Sequence, residues 1–358
     1  MSTVAEFWQN FNSRLRAETG ADFPGDRRFD EPLALHTSFR AGGPADLWVR
    51  PRRADWDGLW TDGGGPLGRL LEAVKEEGIP LFVLGGGANI LAADGGIRGI
   101  VLDTGANAGP VTEGPGRGRD RGGGDRNGPG LWFRAGTPVD AAAEEAARRG
   151  LSGLEFLAGM PGSAGGALWM NARCYGRETA DTAEAAALLE FGAEPGAAGE
   201  SGADAAAGGR LTVCSPDRNE FGYKKSPFQD RDAVILAVYF ALQEKEPGLI
   251  RAEMEDHRKD REAKGHYRLP SAGSVFKNNR AFGKPTGRII DELGLKGLSV
   301  GNAQVAPWHG NIIVNRGGAR AAEIRALVEE VQNRVRAERG FDLEPEILFA
   351  GDWGREKT

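Results

Sequence analysis

The sequence predicts an α+β protein, in which helices and strands follow one another without a regular order. Two short apolar runs bounded by glycines, LFVLG (81–85) and GIVLD (99–103), are typical of buried strands. The alanine-rich segment VDAAAEEAARRG (139–150) predicts a helix that stops at its terminal glycine. A doubly wound parallel sheet would need a repeated strand–helix–strand pattern, which the sequence does not have.

Apolar residues at helical spacing predict an amphipathic helix near each end of the chain. In the N-terminal helix they are Val4, Phe7, Trp8, Phe11 and Leu15. In the C-terminal helix they are Ile324, Leu327, Val328, Val331 and Val335, and Gly340 follows as the stop. The apolar run AVILAVYFAL (233–242) predicts a further buried strand.

Charge and composition argue against large anionic partners. The 358 residues carry a formal net charge of −6, and 40% of them are apolar. We therefore expect no nucleic acid and no membrane among the partners, and an anionic small molecule would need a local cluster of cations or backbone amides. No apolar stretch reaches the roughly 18 residues of a membrane span, and the N-terminus lacks the apolar core of a signal peptide.

Cysteine and histidine usage predicts the compartment and the absence of a metal. The two cysteines, Cys174 and Cys214, do not form a C-x-x-C pair, which is typical of a reduced chain in the cytoplasm. The four histidines show no ligand spacing such as H-x-x-x-H, so we expect no metal site.

Two segments, 104–130 and 192–210, are rich in glycine and nearly free of large apolar residues. Neither can bury enough surface to offset the entropy of ordering it, so we expect mobile surface insertions. The first contains RGRDRGGG, which is faintly similar to RG-rich RNA-binding segments. Its interleaved aspartates and lack of aromatic residues favour a solvated loop instead.

Two other glycine-rich loops could bind a ligand through their backbone. In LGGGANILAADGG (84–96), successive N–H groups after a strand can cradle a diphosphate, although a plain turn fits this segment equally well. In GLSGLEFLAGMPGSAGGALWMNARCYGRE (150–178), the polar residues Asn171, Arg173 and Tyr175 follow the glycines. Two such loops indicate a long ligand with phosphates and a flat ring system. Glycines needed only for tight packing would give the same pattern.

Ser274, in LPSAGSVFKNN (269–279), is a candidate proton donor. The segment is not a G-x-S-x-G elbow, and the nearest histidine, His266, lies eight positions upstream (274 − 266) with nothing to place it as a base. A hydroxyl held in position can still donate a proton. A serine that only satisfies its own turn fits the sequence equally well.

Two glutamates, Glu344 and Glu346, lie two positions apart in FDLEPEILFAG (341–351). In a strand both would face the same side, with Leu343, Ile347 and Phe349 anchoring the segment. One of them could then be a tuned acid or a charge partner. Two solvated charges near the end of the chain are the simpler interpretation.

Six motifs occur together in the order typical of one family. They are HTSFRAGGPADLWVRP, LFVLGGGANILAADGGIRG, GLEFLAGMPGSAGGALWMNA, FGYKKSPF, GSVFKN and LEPEI. From about His36 to Gly351 the chain thus resembles the UDP-N-acetylenolpyruvoylglucosamine reductase family. The 50 positions between Lys224 and Ser274 (274 − 224) leave no room for the tyrosine-bearing loop of the family's longer type, so the shorter type is implied.

The resemblance implies a fold with an FAD-binding domain of the vanillyl-alcohol-oxidase (PCMH-like) type, made of two α+β subdomains, and a C-terminal α+β substrate-binding domain. The division expected from it is an N-terminal helix (1–24), FAD-binding subdomain 1 (25–99), FAD-binding subdomain 2 with both insertions (100–246), the substrate-binding domain (247–343) and a C-terminal segment with the catalytic glutamate (344–358).

The resemblance also implies a reaction: FAD is the cofactor, NADPH is the co-substrate, and a UDP-linked enolpyruvyl sugar is reduced to UDP-N-acetylmuramate in peptidoglycan precursor synthesis. We expect this enzyme to act as a monomer in the cytoplasm. The implied catalytic residues are Ser274 as proton donor, Glu346 on the enolate side and Lys224 as the cation. The implied substrate contacts are Tyr223 and Asn278, and we also expect Arg173 and Lys277 to contact the substrate. The implied cofactor contacts are Gly85, Gly86, Gly87, Ala88, Asn89, Pro161, Gly162, Gly165, Gly166 and Asn171.

The sequence departs from the family pattern at three places. Lys224 stands where the family usually has an arginine, and a lysine cannot make the two-pronged contact of a guanidinium with a carboxylate. Arg173-Cys174 replaces a small Gly-Ala pair, so we hypothesise that Arg173 supplies part of the missing guanidinium function. Ala88 replaces a serine, which would remove one hydrogen bond to FAD. Lys225, beside Lys224, is expected to be a solvated surface charge.

Two other functions are compatible with parts of the sequence. Another FAD-linked oxidoreductase of the same fold could act on a small alcohol or sugar, but GSVFKN and LEPEI resemble the reductase's substrate domain. A non-enzymatic module that binds a sugar nucleotide or RNA through the RG-rich loop is the more remote alternative.

Overall fold

The computed structural model describes residues 3–61, 65–111, 129–191 and 210–354. Most of the two expected insertions, residues 112–128 and 192–209, lies outside the described residues. Chain contacts divide the protein into two compact units. The first comprises Met1–Phe29, Leu47–Gly86 and Gly99–His257, and the second comprises Asp30–Asp46, Gly87–Arg98 and Arg258–Thr358. The five-part domain division expected from the sequence stays a prediction.

The helices and strands occur in mixed order along the chain. The helices are α1 (Thr3–Thr19), α2 (Arg53–Thr61), α3 (Gly65–Glu76), α4 (Val139–Arg148), α5 (Ala164–Trp169), α6 (Pro247–Ala263), α7 (Thr286–Glu292) and α8 (Ala321–Arg339). The strands are β1 (Asp26–Pro32), β2 (Pro44–Arg50), β3 (Leu81–Leu84), β4 (Ile90–Ala92), β5 (Ile97–Asp103), β6 (Gly130–Arg134), β7 (Leu151–Ser152), β8 (Arg173–Cys174), β9 (Arg177–Glu178), β10 (Ala183–Glu190), β11 (Arg210–Cys214), β12 (Ala233–Ala241), β13 (Gln243–Glu244), β14 (Ser299–Val300), β15 (Ala303–Val305), β16 (Ile313–Asn315) and β17 (Leu348–Ala350).

The described residues include two four-stranded sheets. One has the order β1-β2-β5-β3, and its strands β3 and β5 pair in parallel with Leu81 opposite Ile100. The other has the order β11-β10-β12-β6, with Tyr239 of β12 opposite Trp132 of β6. Strand β12 is almost wholly buried, as its uninterrupted apolar run predicts.

Helices cover these sheets with the faces that the sequence predicts. The five apolar residues of α1 are all buried, and they pack with Leu47, Val49 and Leu70. Helix α4 buries its alanine face in a core that also contains Phe133, Phe156 and Phe240. Both helices predicted in this part of the chain are thereby confirmed.

The second unit contains smaller sheets around one long helix. Strands β14, β15 and β16 form an antiparallel sheet, and β17 pairs in parallel with β4. The predicted apolar stripe of α8 is buried against Phe276, Ile289 and Ile313. Gly340 ends the helix at a positive φ of 68°, a left-handed conformation that glycine adopts at little cost. Separate antiparallel sheets with interspersed helices confirm the α+β class.

The two glutamates of segment 341–351 do not lie in a strand. Strand β17 begins only at Leu348, after both glutamates. Leu343 and Ile347 are buried as expected, but Phe349 is 37% exposed and does not anchor the segment. Pro345 explains the late start, because it has no N–H to donate to a continuous ladder.

No helix in the described part of the chain is both long enough and apolar enough to cross a membrane.

Candidate active site

The two predicted glycine loops approach each other closely in the first unit. A Cβ atom on Gly86 would lie 2.7 Å from Gly162 Cα, and one on Gly85 would lie 2.6 Å from Ser163 Oγ. Real Cβ atoms do not come this close, so the two backbones meet only because side chains are missing. The close approach links the two segments that the sequence singled out separately.

The remainder of the second loop opens helix α5. Pro161 is exposed, and the Gly166 amide donates to the Ser163 hydroxyl, which caps the helix (3.3 Å). Gly165 has a different task. Its amide donates to Ala135 O (2.8 Å), and a Cβ on it would lie 2.7 Å from Ala135 Cβ. The geometry at Gly165 therefore supports the alternative that this glycine is needed for tight packing and not for binding a ligand.

The first loop presents a run of uncommitted backbone amides. Among the described residues, the N–H groups of residues 85–89 have no hydrogen-bond acceptor. The carbonyls of Gly87 and Ala88 are held by Ser38, whose amide and hydroxyl donate to them at 3.0 and 3.4 Å. A Cβ on Gly87 would lie 2.0 Å from His36 O. A loop fixed through its carbonyls with its amides available is suited to bind a phosphate.

Lys224 lies in a tight turn of residues 222–225, here called the Lys224 turn. The amides of Gly222 and Lys225 each donate to the other residue's carbonyl, at 3.0 and 3.1 Å. Of the two central residues, only Lys224 has a positive φ, 59°, as in a type II turn. Glycine normally takes that position, so the backbone of this lysine is strained.

Side chains from neighbouring segments fasten the Lys224 turn. Asn171 is fully buried, and its Nδ2 donates to Gly222 O (2.9 Å) while its Oδ1 accepts from the Ala180 amide (3.0 Å). The side-chain nitrogen of Gln229, Nε2, donates to Lys224 O and to Trp169 O. Sequence reasoning assigned Asn171 to the cofactor and overlooked Gln229, since no local pattern distinguishes it from any other polar residue.

Arg173 and Tyr223 come together beside this turn. The Arg173 guanidinium carbon lies 5.9 Å from the centroid of the Tyr223 ring, within the range of a cation–π contact. Both side chains are exposed. Tyr175 is directed elsewhere: its ring stacks on His257 at 3.9 Å, and its hydroxyl donates to His257 O.

In the second unit, the segment directly after Ser274 pairs with an irregular segment that contains Glu346, and this pairing is here called the Ser274 ladder (275–277 with 344–346), while Ser274 itself forms a bridge with Ile312. The Glu346 amide donates to Val275 O (2.7 Å), and the Lys277 amide donates to Glu344 O (2.9 Å). The Ser274 hydroxyl is half-buried and has no hydrogen-bond partner among the described residues. A hydroxyl with no partner of its own can be offered to a ligand.

Two asparagines hold this ladder from either side. Asn311 is buried, and its side chain both accepts from the Phe276 amide (2.9 Å) and donates to Phe276 O (2.8 Å). Asn89 Nδ2 donates to Glu346 O (3.0 Å), and the Asn89 carbonyl accepts from the Leu348 amide (2.9 Å). Asn89, predicted to contact the cofactor, is thus also the residue that fixes the main chain at Glu346.

The predicted substrate contacts Lys277 and Asn278 already have partners within the protein. The Lys277 ammonium pairs with the carboxylate of Glu344, which is 69% exposed. Asn278 Oδ1 accepts from the Thr286 amide (2.9 Å) at the start of α7. The two glutamates of this segment therefore differ, because Glu344 neutralises a neighbouring lysine while Glu346 is half-buried beside Asn89.

His266 lies close to His309 in the second unit, with ring centroids 6.1 Å apart. Burial lowers the pKa of His266 to about 4, and the positive charges of Arg261 and Lys264 act in the same direction. The imidazole is therefore neutral at physiological pH.

Family models match both parts of the chain. Residues 67–190 match an FAD binding domain, and residues 265–350 match the C-terminal domain of UDP-N-acetylenolpyruvoylglucosamine reductase. Together with the mixed sheets and helices, these matches confirm the predicted fold class of an FAD-binding domain followed by a C-terminal α+β domain.

Proteins named UDP-N-acetylenolpyruvoylglucosamine reductase align with this chain over nearly their whole length. The UDP-N-acetylenolpyruvoylglucosamine reductase of Treponema pallidum is 39% identical, over 91% of this chain and 94% of its own. That of Treponema denticola is 36% identical, over 92% and 95%. The crystal structure of the reductase from Thermus caldophilus superposes with a TM-score of 0.67 at 31% identity, covering 91% of this chain and 98% of its own. The chain belongs to the UDP-N-acetylenolpyruvoylglucosamine reductase family.

Proposed function

We propose that this chain reduces UDP-N-acetylenolpyruvoylglucosamine to UDP-N-acetylmuramate, with Ser274, Glu346 and Lys224 in the catalytic roles. The enzyme is an FAD-dependent oxidoreductase that uses NADPH, and its product is a peptidoglycan precursor. It acts as a monomer in the cytoplasm. The observation that carries the assignment of roles is the Ser274 ladder, in which the Glu346 amide donates to the carbonyl of Val275, the residue next to the candidate proton donor.

The glycine loops are suited to hold FAD. The uncommitted amides of residues 85–89 would bind its diphosphate, and the contact of Gly86 with Gly162 leaves a surface without side chains beside them. Pro161, Gly166 and Asn171 lie along the second loop and would border the flavin. FAD bound there would supply hydride transfer from NADPH to the terminal alkene carbon of the substrate.

Lys224 stabilises negative charge on the substrate. Its ammonium binds the enolpyruvyl carboxylate and offsets the charge that develops as the alkene is reduced. The strained turn fixes the starting point of this flexible side chain. Tyr223 at the exposed face of the turn contacts the sugar nucleotide.

Ser274 delivers the proton that completes the reduction. Its hydroxyl hydrogen goes to the carbon beside the carboxylate, where enolate character develops. Glu346 assists on the enolate side from the adjoining strand of the ladder. Lys277 and Asn278 follow Ser274 in the chain. They contact the substrate once their hydrogen bonds with Glu344 and Thr286 are broken.

Arg173 supplies part of the function of the arginine that Lys224 replaces. Its guanidinium lies over Tyr223, next to Lys224 in the chain, so both cations belong to the same local surface. We expect Arg173→Ala and Lys224→Ala each to lower turnover. Full turnover of Arg173→Ala together with complete loss in Lys224→Ala would show that Arg173 has no share.

An anaerobic titration of the purified, FAD-loaded enzyme tests the function. The yellow flavin should bleach on adding NADPH and recolour on adding UDP-N-acetylenolpyruvoylglucosamine. Bleaching without recolouring would favour an oxidoreductase that acts on a small alcohol or sugar. A colourless protein that cannot take up FAD would contradict both enzymes.

A further inference from the structure

The Lys224 turn is held in place by more groups than a surface turn requires. Its own two backbone hydrogen bonds close it, and the buried Asn171 fastens Gly222 from below. The peptide after Lys224 is restrained at both of its polar groups, because the Lys225 amide donates to Gly222 O and Lys224 O accepts a hydrogen bond from outside the turn. The outside group limits how far this peptide can rotate to relieve the positive φ of Lys224, and so adds to the restraint on where the lysine side chain starts.

Gln229 is that group. Its Nε2 donates to Lys224 O (3.1 Å) and to Trp169 O (3.0 Å), so one half-buried amide joins the strained lysine to the end of helix α5. The hydroxyl of Ser226 donates to the same Trp169 carbonyl (2.7 Å) and is itself fully enclosed. Trp169 O thus receives two side-chain donors from the segment that follows the turn.

The turn lies between two residues of the apolar core, Phe221 and Phe228, but its own residues reach the surface. Lys224 and Gln229 are both partly exposed, and the neighbouring Lys225 and Tyr223 are exposed. The arrangement fixes the main chain of a partly exposed cation. Because a lysine side chain is long and flexible, holding its backbone is the principal means of directing its charge.

We propose that Gln229 is a positioning residue, which locks the Lys224 peptide against Trp169 and thereby gives the site its preference for ligands with a carboxylate. This inference rests on the proposed role of Lys224. It concerns binding selectivity, so it can be measured at equilibrium without turnover.

Two ligands isolate the carboxylate. UDP-N-acetylmuramate carries one, while UDP-N-acetylglucosamine has the same nucleotide and sugar without it. We expect Gln229→Met, which keeps the side-chain length but removes the donor, to weaken binding of UDP-N-acetylmuramate to the oxidised holoenzyme by about tenfold in calorimetry, the usual effect of one hydrogen bond. Binding of UDP-N-acetylglucosamine should change less than about twofold.

A double-mutant cycle separates this inference from the proposed function. If Gln229 acts through Lys224, adding Gln229→Met to Lys224→Ala should cause no further loss of affinity. If Lys224→Ala alone binds both ligands like the wild type, the proposed role of Lys224 fails. The positioning role is overturned if Lys224→Ala weakens the binding of UDP-N-acetylmuramate alone, while Gln229→Met weakens the binding of both ligands equally or of neither.

A matched control lies in the second unit. Gln304 is also half-buried, and its Nε2 donates to the carbonyl of Gly297 (3.1 Å). Gln304→Met should leave both affinities unchanged. If Gln229→Met does not retain FAD, Gln229→Asn, which keeps the amide on a shorter stem, should show the same selective loss to a smaller degree. Equal weakening of both ligands in that variant would equally overturn the proposal.

Discussion

The Lys224 turn and the Ser274 ladder hold their candidate catalytic groups by different means. In the turn, side-chain amides of Asn171 and Gln229 stabilise a lysine whose own φ is unfavourable. In the ladder, Ser274 and Glu346 belong to segments joined by backbone hydrogen bonds. A backbone ladder depends little on which side chains it carries, whereas a strained turn depends on each donor that restrains it.

Each region nevertheless relies on one buried asparagine. Asn171 binds a carbonyl of the turn and an amide outside it, and Asn311 binds both polar groups of Phe276 in the ladder. The two regions therefore differ more in the strain of their backbones than in the burial of the asparagine that holds each of them. Substitutions can separate the effect on stability from the effect on activity.

The largest expected effect is on the proton donor of the ladder. Ser274→Ala should slow recolouring of the reduced flavin by the substrate by about 10²–10⁴-fold, because general acid catalysis typically contributes that much. Bleaching by NADPH should be nearly unchanged, since Ser274 takes no part in that step. Stopped-flow absorbance measures both rates, and an equal slowing of the two would remove Ser274 from the role of proton donor.

Loss of either buried asparagine should lower stability, and the loss at Asn311 should be the larger. Asn311→Ala leaves both polar groups of Phe276 without a partner, whereas Asn171→Ala does so only for the Ala180 amide, because Gly222 O still accepts from the Lys225 amide; each such group costs about 1–3 kcal/mol. Chemical denaturation of the holoenzyme measures the loss. Asn219→Ala, at an exposed position, is the control and should change the free energy of unfolding by less than about 0.5 kcal/mol. A loss at Asn171 as small as the control's would mean that the turn is not fastened there.

Relief of strain should separate stability from function in the Lys224 turn. Lys224→Gly should raise the free energy of unfolding by about 1 kcal/mol, because glycine adopts a positive φ without strain, while affinity for UDP-N-acetylmuramate falls. Lys225→Gly is the matched control: its φ is not positive, so glycine there should slightly destabilise the protein. Equal effects of the two substitutions on stability would contradict the strain assigned to Lys224.

The smallest expected effect is a difference in acid sensitivity between the units. An unfolded histidine binds a proton below its ordinary pKa of 6.5, but the folded protein protonates His266 only near pH 4. Stability should therefore fall as pH decreases from 6.5 to 4, and His266→Gln should flatten this dependence.

Glu145 in the first unit provides the contrast. Arg148 is the main cause that holds its pKa at about 2, against an ordinary value of 4.5. Its stabilising contribution is present above pH 4.5 and is lost only as pH falls toward 2. Glu145→Gln should leave the slope between pH 6.5 and 4.5 unchanged, and a flattened slope in this variant would contradict the assignment to His266.

Local sequence patterns were sufficient for the elements and the loops. Spacing alone predicted α1, α4 and α8, and apolar runs predicted β3, β5 and β12, because periodic burial is encoded within each segment. The glycine clusters predicted close backbone approach, which Gly86 and Gly162 display. The roles of individual residues came from the resemblance of six motifs to one family.

Local sequence patterns could not predict contacts between segments that are far apart in the chain. Gln229 reaches Trp169 across 60 positions, and Asn311 reaches Phe276 across 35, so neither side chain has a local signature. Glu344 and Glu346 do not share a strand because Pro345 interrupts the hydrogen bonding, and residues 344–346 pair instead with the segment after Ser274. Asn89 lies in the glycine-rich motif of residues 84–96, which drew attention to it. The hydrogen bond from its side chain to Glu346 O, however, depends on the parallel pairing of β4 with β17.

A crystal structure of the holoenzyme with UDP-N-acetylmuramate tests the central claim most directly. The account predicts that the Lys224 ammonium lies within hydrogen-bond distance of the product carboxylate, about 2.7–3.2 Å, with the Ser274 hydroxyl near the carbon beside it. A carboxylate bound by Arg173 alone, with Lys224 directed into solvent, would contradict it.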